Sequence, residues 1–339
     1  MASKIFIGVI GTGTVGSEFL RQLAHLPGAP SLILISRAAG TITSPSPSYS
    51  PAIPANDWEN ATGTPYVVSS VWQPEQITEY MANAPGKAII VDNTSDPKIA
   101  ASYPLFLSKG ISIITPNKKA FSSDYAHWKA IFETAEKSGA YVYHESTVGA
   151  GLPIISTLRE LVATGDKVTK IEGVFSGTLS YLFNNFAPTV AAADGSSPKW
   201  SAVVAEAKKL GYTEPDPRDD LNGMDVARKC TILARIAGLE VESPASFPIQ
   251  SLIPAELESI PATADGIKEF MQRLPEFDEQ MEEIKAKAEA EGKVVRYVGS
   301  IDVASKSDNI ISFFTERYGA LPLVVQGAGA GAAVTAYGC

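Results

Sequence analysis

The sequence is poor in the residues from which metal centres and disulfides are built. Its 339 residues include two cysteines, Cys230 and Cys339, and three scattered histidines, His25, His127 and His144. No CxxC or His-rich spacing links them, which excludes a zinc ribbon, a disulfide scaffold and a zinc-type alcohol dehydrogenase. Thiols so few suit a reducing cytosol, and the expected location is cytoplasmic. Basic charge is also scarce. Lys and Arg number 28 against 37 Asp and Glu, a net charge of −9, so a nucleic-acid surface has no support. No uncharged apolar run approaches the roughly 20 residues that a membrane-spanning helix needs. Nor does Lys4 follow a signal peptide, because the strand-like IFIGVI begins at once.

What is present describes a globular protein of two domains. Hydrophobic residues make up 45% and charged residues 19%, a composition able to bury a full interior. The nearly continuous apolar run 5–10 is that of a buried parallel strand. It leads into Gly11-Thr12-Gly13-Thr14-Val15-Gly16, then into an amphipathic stretch with Phe19, Leu20, Leu23 and Leu26. A second strand follows at 32–35. A GxGxxG alone is common. One that leaves a strand, opens a helix and is closed by another strand is a dinucleotide fingerprint. Its first glycine permits the turn, its second admits the pyrophosphate, its third lets helix pack on strand, and the helix N-terminus meets the anion. An acid for the ribose of NAD normally ends the second strand. Ser36 and Arg37 stand there instead, and an arginine accepts a 2′-phosphate, which favours NADP over NAD.

Further along, residues 40–65 are rich in Pro, Ser and Thr and read as a surface excursion. The βαβ rhythm then resumes. Asp92, Asn93, Thr94 and Ser95 end one strand and Lys118 and Lys119 follow the next, at the carboxyl edge where open α/β sheets bind ligands. Glu145 precedes Gly149 and Gly151, in a stretch that is either a tight turn or a cage of oxygens for a hard cation. Residues 171–183 read as a strand, 261–292 as charged helices, and 323–336 as a strand and glycine segment returning to the first domain.

Residues 207–229 are the densest in chemistry. They carry Glu214, Asp216, Asp219, Asp220 and Asp225, with Pro215 and Pro217 forbidding a helix across the acidic part. From about Leu221 the pattern is helical, and Asp225 and Lys229 sit four apart on one face. Two readings are open: a solvated acidic loop with a surface ion pair, or a polar pocket in which acids hold a cationic amine and a lysine moves a proton.

The same stretch carries a longer pattern. Ala207, Gly211 and Tyr212 precede D-P-x-x-D-L-x-G-x-D-x-x-x-K, present as Asp216, Pro217, Asp220, Leu221, Gly223, Asp225 and Lys229. With GTGTVG, VDNTS, TPNKKAF, YHESTVGAGLPI, EGVFSGTLSY and QGAGAGAAVTA, it makes the chain resemble the homoserine dehydrogenases over nearly its whole length. With no aspartate-kinase segment ahead of the fingerprint, the resemblance is to the monofunctional fungal type.

That resemblance implies an α/β chain. A Rossmann-type, doubly wound nucleotide-binding domain at 1–143, completed by 319–339, carries a second α+β catalytic and dimerisation domain at 144–318. It implies NAD(P)H-dependent, reversible reduction of L-aspartate 4-semialdehyde to L-homoserine, on the way to threonine and methionine. Lys229 becomes the acid/base, Asp225 its orienting partner, and Glu214 and Asp220 the binders of the substrate ammonium. Lys118 lies near substrate and nicotinamide. The cofactor set is residues 11–16 with Arg37, Asn93, Thr94, Ser95, Lys118 and Gly329. A monovalent cation, sodium in kind, maps onto Glu145 and the carbonyls of Val148, Ala150 and Leu152, and a homodimer is expected. Two departures stand out: family members carry a further segment between Lys306 and Ser307, and continue into a C-terminal helix beyond the glycine segment. These departures raise an alternative, a catalytically impaired chain that binds nucleotide or pairs with a full-length partner. An aspartate-semialdehyde dehydrogenase fits poorly, because its cysteine nucleophile would have to be Cys230, turned about 100° from Lys229 on a helix.

Overall fold

The computed structural model describes residues 4–189, 197–302, 311–316, 322–326 and 331–338. The strands are β1 (Ile5–Ile10), β2 (Ser31–Arg37), β3 (Gly40–Thr43), β4 (Val67–Ser69), β5 (Lys87–Asp92), β6 (Ser112–Ile114), β7 (Val142–Tyr143), β8 (Val168–Gly173), β9 (Gly299–Asp302), β10 (Ile311–Thr315) and β11 (Leu323–Val325). The helices are α1 (Thr14–Leu23), α2 (Pro74–Ala82), α3 (Pro97–Ala101), α4 (Tyr103–Ser108), α5 (Lys119–Ser122), α6 (Tyr125–Ser138) and α7 (Ile154–Ala163), then α8 (Gly177–Phe186), α9 (Trp200–Lys209), α10 (Arg218–Leu221), α11 (Met224–Ile236), α12 (Ala264–Arg273), α13 (Asp278–Ala290) and α14 (Ala332–Gly338).

The chain divides into two compact units. The first takes Met1–Ala163, Thr231–Ser243 and Gln326–Cys339; the second takes Thr164–Cys230 and Pro244–Val325. Residues 144–163 thus group with the nucleotide-binding half.

In the first unit, a sheet of order β4-β3-β2-β1-β5-β6-β7 has β1, β2, β5, β6 and β7 parallel. Its central strands are apolar on both faces because helices cover both, as a doubly wound sheet requires. Phe19, Leu20 and Leu23 of α1 pack with Ile7, Val9 and Ile35 in one core. The stretch 40–65 is not the expected surface excursion. It adds β3 antiparallel to β2 and leads into β4, which pairs antiparallel with β3, and Ile42, Tyr49, Ile53, Trp58 and Ala61 are buried. Its apolar residues lie thinly among Pro and Ser, yet Ile42, Ile53, Trp58 and Ala61 join the core. At the other end of the chain, α14 packs on α1, and the Gln22 amide donates to the Ala333 carbonyl at 3.1 Å. The C-terminal residues therefore do form a helix, Ala332–Gly338.

In the second unit, an antiparallel sheet has the order β11-β10-β8-β9. The expected strand at 171–183 stops at Gly173. Helix α8 starts at Gly177 because the Ser176 hydroxyl caps it, accepting the Leu179 amide at 3.1 Å. The segment 323–336 splits likewise. Its strand β11 pairs with β10 in this sheet, and the first unit resumes at Gln326. The junction after Lys306 lies outside the described residues, as does Gly329.

Candidate active site

Two sets of side chains carry chemistry, one in each unit. In the first, β1 and β5 run side by side in parallel, and the Asn93 amide donates to the Ile10 carbonyl at 2.8 Å. The fingerprint loop and residues 93–95 are thereby brought together. Gly11 has a φ of +86°, and a Cβ there would stand 2.7 Å from the Thr94 methyl. At Gly16 a Cβ would stand 2.1 Å from the Gly11 carbonyl oxygen. At Gly13 a Cβ would meet nothing within 4 Å. The three glycines thus divide as the fingerprint requires: turn, open approach and tight packing. Helix α1 has Gly13 in its N-cap position and no side chain capping it, which leaves its first-turn amides for an anion. Thr12, Thr14 and Val15 surround this opening.

Asp92, fully buried at the end of β5, ties the neighbouring loops down. It accepts the Thr94 amide at 2.8 Å, the Thr94 hydroxyl at 2.7 Å, the Tyr103 hydroxyl at 2.6 Å and the Asn117 amide at 3.1 Å. Burial pushes its carboxyl above the usual range, against the pull of those hydrogen bonds. Asn117 leads directly into Lys118, so one carboxylate sets the positions of Asn93–Ser95 and of the lysine corner. Sequence reasoning missed that role, as it missed Tyr103 and Asn117. Arg37 ends β2, with its guanidinium 5.2 Å from the Trp58 ring centroid and its buried Nε without a hydrogen-bond partner. A cation so stacked and unsatisfied suits a phosphate oxygen.

The loop after β7 turns sharply. Gly149 and Ala150 have φ of +76° and +54°, and the Glu145 carboxylate accepts the Ile155 amide at 2.6 Å and the Ser156 amide at 2.9 Å. It therefore caps α7. Each oxygen of a carboxylate accepts more than one bond, so this capping is compatible with a cation at Glu145 and the carbonyls of Val148, Ala150 and Leu152.

In the second unit, Asp225 and Lys229 of α11 form an ion pair of 2.7 Å. Lys229 is 8% exposed, and its amine also donates to the Phe175 carbonyl at 2.5 Å. That carbonyl lies in the turn between β8 and α8, so the amine is aimed by two elements at once. Asp220 accepts the Glu214 amide at 2.8 Å, and the Thr178 hydroxyl lies beside it. Burial pushes the Asp220 carboxyl up, and the charges of Asp225 and Asp219 push the same way. An ammonium placed among these acids would relieve that repulsion. Glu214 is exposed on the same loop.

Asp216 does a different job. It is bound through both oxygens by the guanidinium of Arg218, with contacts from 2.6 to 3.1 Å, and Arg218 donates onward to the carbonyls of Ile260 and Pro261. Burial alone would raise its carboxyl, but the Arg218 bonds outweigh it and hold the pKa below the ordinary value. Gly223 has a φ of +72°, and a Cβ there would stand 2.2 Å from the Tyr297 hydroxyl. These contacts fix the acidic loop and the start of α11.

Comparison with known proteins agrees with both halves. A family model described as homoserine dehydrogenase matches residues 153–339, and one described as the homoserine dehydrogenase NAD binding domain matches 11–145. The homoserine dehydrogenase of Paracoccidioides brasiliensis is 63% identical over 358 aligned positions, covering 98% of this chain and 95% of the relative. That of Saccharomyces cerevisiae is 48% identical, covering 100% and 97%. A crystal structure of a Candida auris protein of unknown function superposes with a TM-score of 0.87 at 46% identity, covering 99% and 96%. A hyperthermophilic archaeal homoserine dehydrogenase in complex with NADPH shares the fold, with a TM-score of 0.67 at 22% identity over 99% and 95%. Matched in both its halves and aligned almost end to end with fungal relatives, the chain belongs to the homoserine dehydrogenase family.

Proposed function

We propose that the chain carries out its family's reaction with Lys229 as the group that moves the proton. The nicotinamide cofactor supplies the hydride, which adds to the C4 aldehyde carbon of L-aspartate 4-semialdehyde. As negative charge develops on the aldehyde oxygen, the Lys229 ammonium gives it a proton, and the product is L-homoserine. In the reverse direction the amine takes that proton back. Asp225 and the Phe175 carbonyl hold the amine in direction, and the carboxylate steadies its charged form. Glu214 and Asp220 bind the substrate's α-ammonium. Lys118 meets the substrate carboxylate, or assists the proton, beside the nicotinamide.

Residues 11–16, Asn93, Thr94 and Ser95 hold the dinucleotide, with Gly329 completing the set. NADP is preferred, because Arg37 offers a buried, unpartnered Nε where an NAD enzyme would place a carboxylate. Glu145 and the carbonyls of Val148, Ala150 and Leu152 would hold sodium, whose charge would steady the loop. The second unit's sheet pairs two copies into a homodimer.

The observation that carries this reading is the 2.7 Å pair between the buried Lys229 and the part-exposed Asp225 within the family's signature. NADP-dependent oxidation of L-homoserine by the purified chain tests it. Folded protein that binds NADP and gives no turnover, even with the relatives' additional residues restored, would remove the assignment.

A further inference from the structure

A hollow of about 370 Å³ in the first unit contains none of the residues assigned above. Trp128 and Phe132 of α6, Arg159 and Val162 of α7, and His144 between β7 and α7 line it. Its size lies in the range of small-molecule sites and suits a single ring better than a dinucleotide.

The chemistry of His144 is the point of interest. The residue is 1% exposed and enclosed by aromatic rings. The Thr147 hydroxyl donates to the His144 carbonyl at 2.7 Å, so the same oxygen faces Nδ1, 3.4 Å away, as an acceptor. The ring proton therefore belongs on Nδ1. That leaves Nε2 as a lone-pair acceptor, and it is buried with no hydrogen-bond partner. Phe121 covers one face of the ring, stacked at 4.3 Å and 16°. Trp128 and Phe132, both half-buried, stand edge-on at 6.1 and 5.8 Å. At the rim, the exposed Arg159 places its guanidinium 5.8 Å from the Phe132 ring centroid.

We propose that this hollow is a binding site for a small aromatic acid that carries a ring hydroxyl or N–H, received by His144 Nε2, with its carboxylate on Arg159. Water does not reach Nε2, so entry requires one of the half-buried rings, Trp128 or Phe132, to turn aside. The ligand's ring then replaces the lost contact by stacking between them. A purely apolar ligand would leave Nε2 unsatisfied, and a cation would face Arg159 and Arg235.

The probe is 4-hydroxybenzoate, titrated calorimetrically into the whole chain with NADP and L-homoserine at saturation, beside benzoate as the analogue lacking the donor. The hydroxy acid should bind about tenfold more tightly than benzoate, the worth of one hydrogen bond to a buried acceptor. His144→Phe should erase that difference, and Arg159→Gln should weaken both acids about tenfold. Absence of binding at millimolar concentration, equal affinities in the unaltered chain, a preference that survives His144→Phe, or indifference to Arg159→Gln would each overturn the proposal. Arg159 is exposed, so that variant and the benzoate comparison decide the matter even where His144→Phe does not fold.

Discussion

Lys229 combines burial with two fixed acceptors, and this makes its removal informative. Replacing it with alanine takes away the proposed proton donor and leaves the first unit's dinucleotide loop unchanged. Lys229→Ala should therefore lower kcat by about 10²–10⁴, the usual worth of a positioned acid or base, while NADP binding followed by fluorescence stays within a factor of about two. A variant turning over near the native rate would take the proton away from Lys229. Asp220 gives a second test, through pH. Its carboxyl is raised by burial and by Asp225 and Asp219, so it takes up a proton at a higher pH than an ordinary aspartate does. Only the ionised form attracts an ammonium. The KM for homoserine should rise on acidification, beginning above the ordinary carboxylate range, and in Asp220→Asn it should be high and flat across that window. The sign for stability is opposite: a raised folded pKa favours the folded state at low pH, and that contribution is lost as pH rises through it. A bound ammonium offsets this loss, so the rise in Tm on adding homoserine should be larger at neutral than at acid pH. The five acids of this stretch were legible in the sequence, but the division of labour among them was not. Asp216 serves Arg218, whose other partners at Ile260 and Pro261 lie some forty residues away, beyond any local pattern.

At the scale of elements, the fingerprint turn was legible because strand, glycines and helix are contiguous, and contiguity is what a sequence displays best. Its glycines separate two effects. Gly13→Ala adds a methyl into open space, so the protein should fold with an unchanged Tm while the KM for NADP rises about tenfold or more as the methyl meets the pyrophosphate. Gly16→Ala forces a methyl to 2.1 Å from a backbone oxygen, so α1 must shift and Tm should fall with cofactor affinity. Equal responses from the two would show that the loop does not meet the pyrophosphate as described. The acidic loop has its own clamp. Arg218→Ala strands a half-buried Asp216 and should cost about 3 kcal/mol by denaturant unfolding, with a higher KM for homoserine and an unaltered KM for NADP. Where an element was misread, the cause was local and physical. The run 171–183 alternates well enough for a strand, but the Ser176 hydroxyl satisfies the Leu179 amide and starts a helix. In 40–65, composition suggested solvent, while a few well-spaced apolar side chains joined the core.

For the whole molecule, a dinucleotide sheet and a separate acidic half were legible in the sequence, yet all of 323–336 read as part of the first. Strand pairing with β10 decides otherwise for β11, and such long-range pairing has no local sign. The alignment to the Paracoccidioides relative runs over 358 positions, more than the 339 residues of this chain, so residues of that relative lie opposite gaps here. Family resemblance puts such a gap after Lys306, between β9 and β10. Every acid and lysine proposed for the second unit's chemistry lies between Glu214 and Lys229, before that point in the chain. The second unit's sheet, in contrast, has β9 and β11 at its edges among the described residues, and unpaired edges are where a sheet recruits another strand or aggregates. The expectation is therefore split. Compared with a version carrying the relatives' segment, the 339-residue chain should oxidise homoserine with a kcat within about threefold, because the pair proposed to move the proton is intact. The restored version should sediment as a dimer with the higher Tm, because the sheet proposed to join two copies is then complete. Turnover by the restored version alone would mean that pairing, not the Asp225–Lys229 geometry, limits the reaction, and this chain would then be a nucleotide-binding variant that depends on a full-length partner.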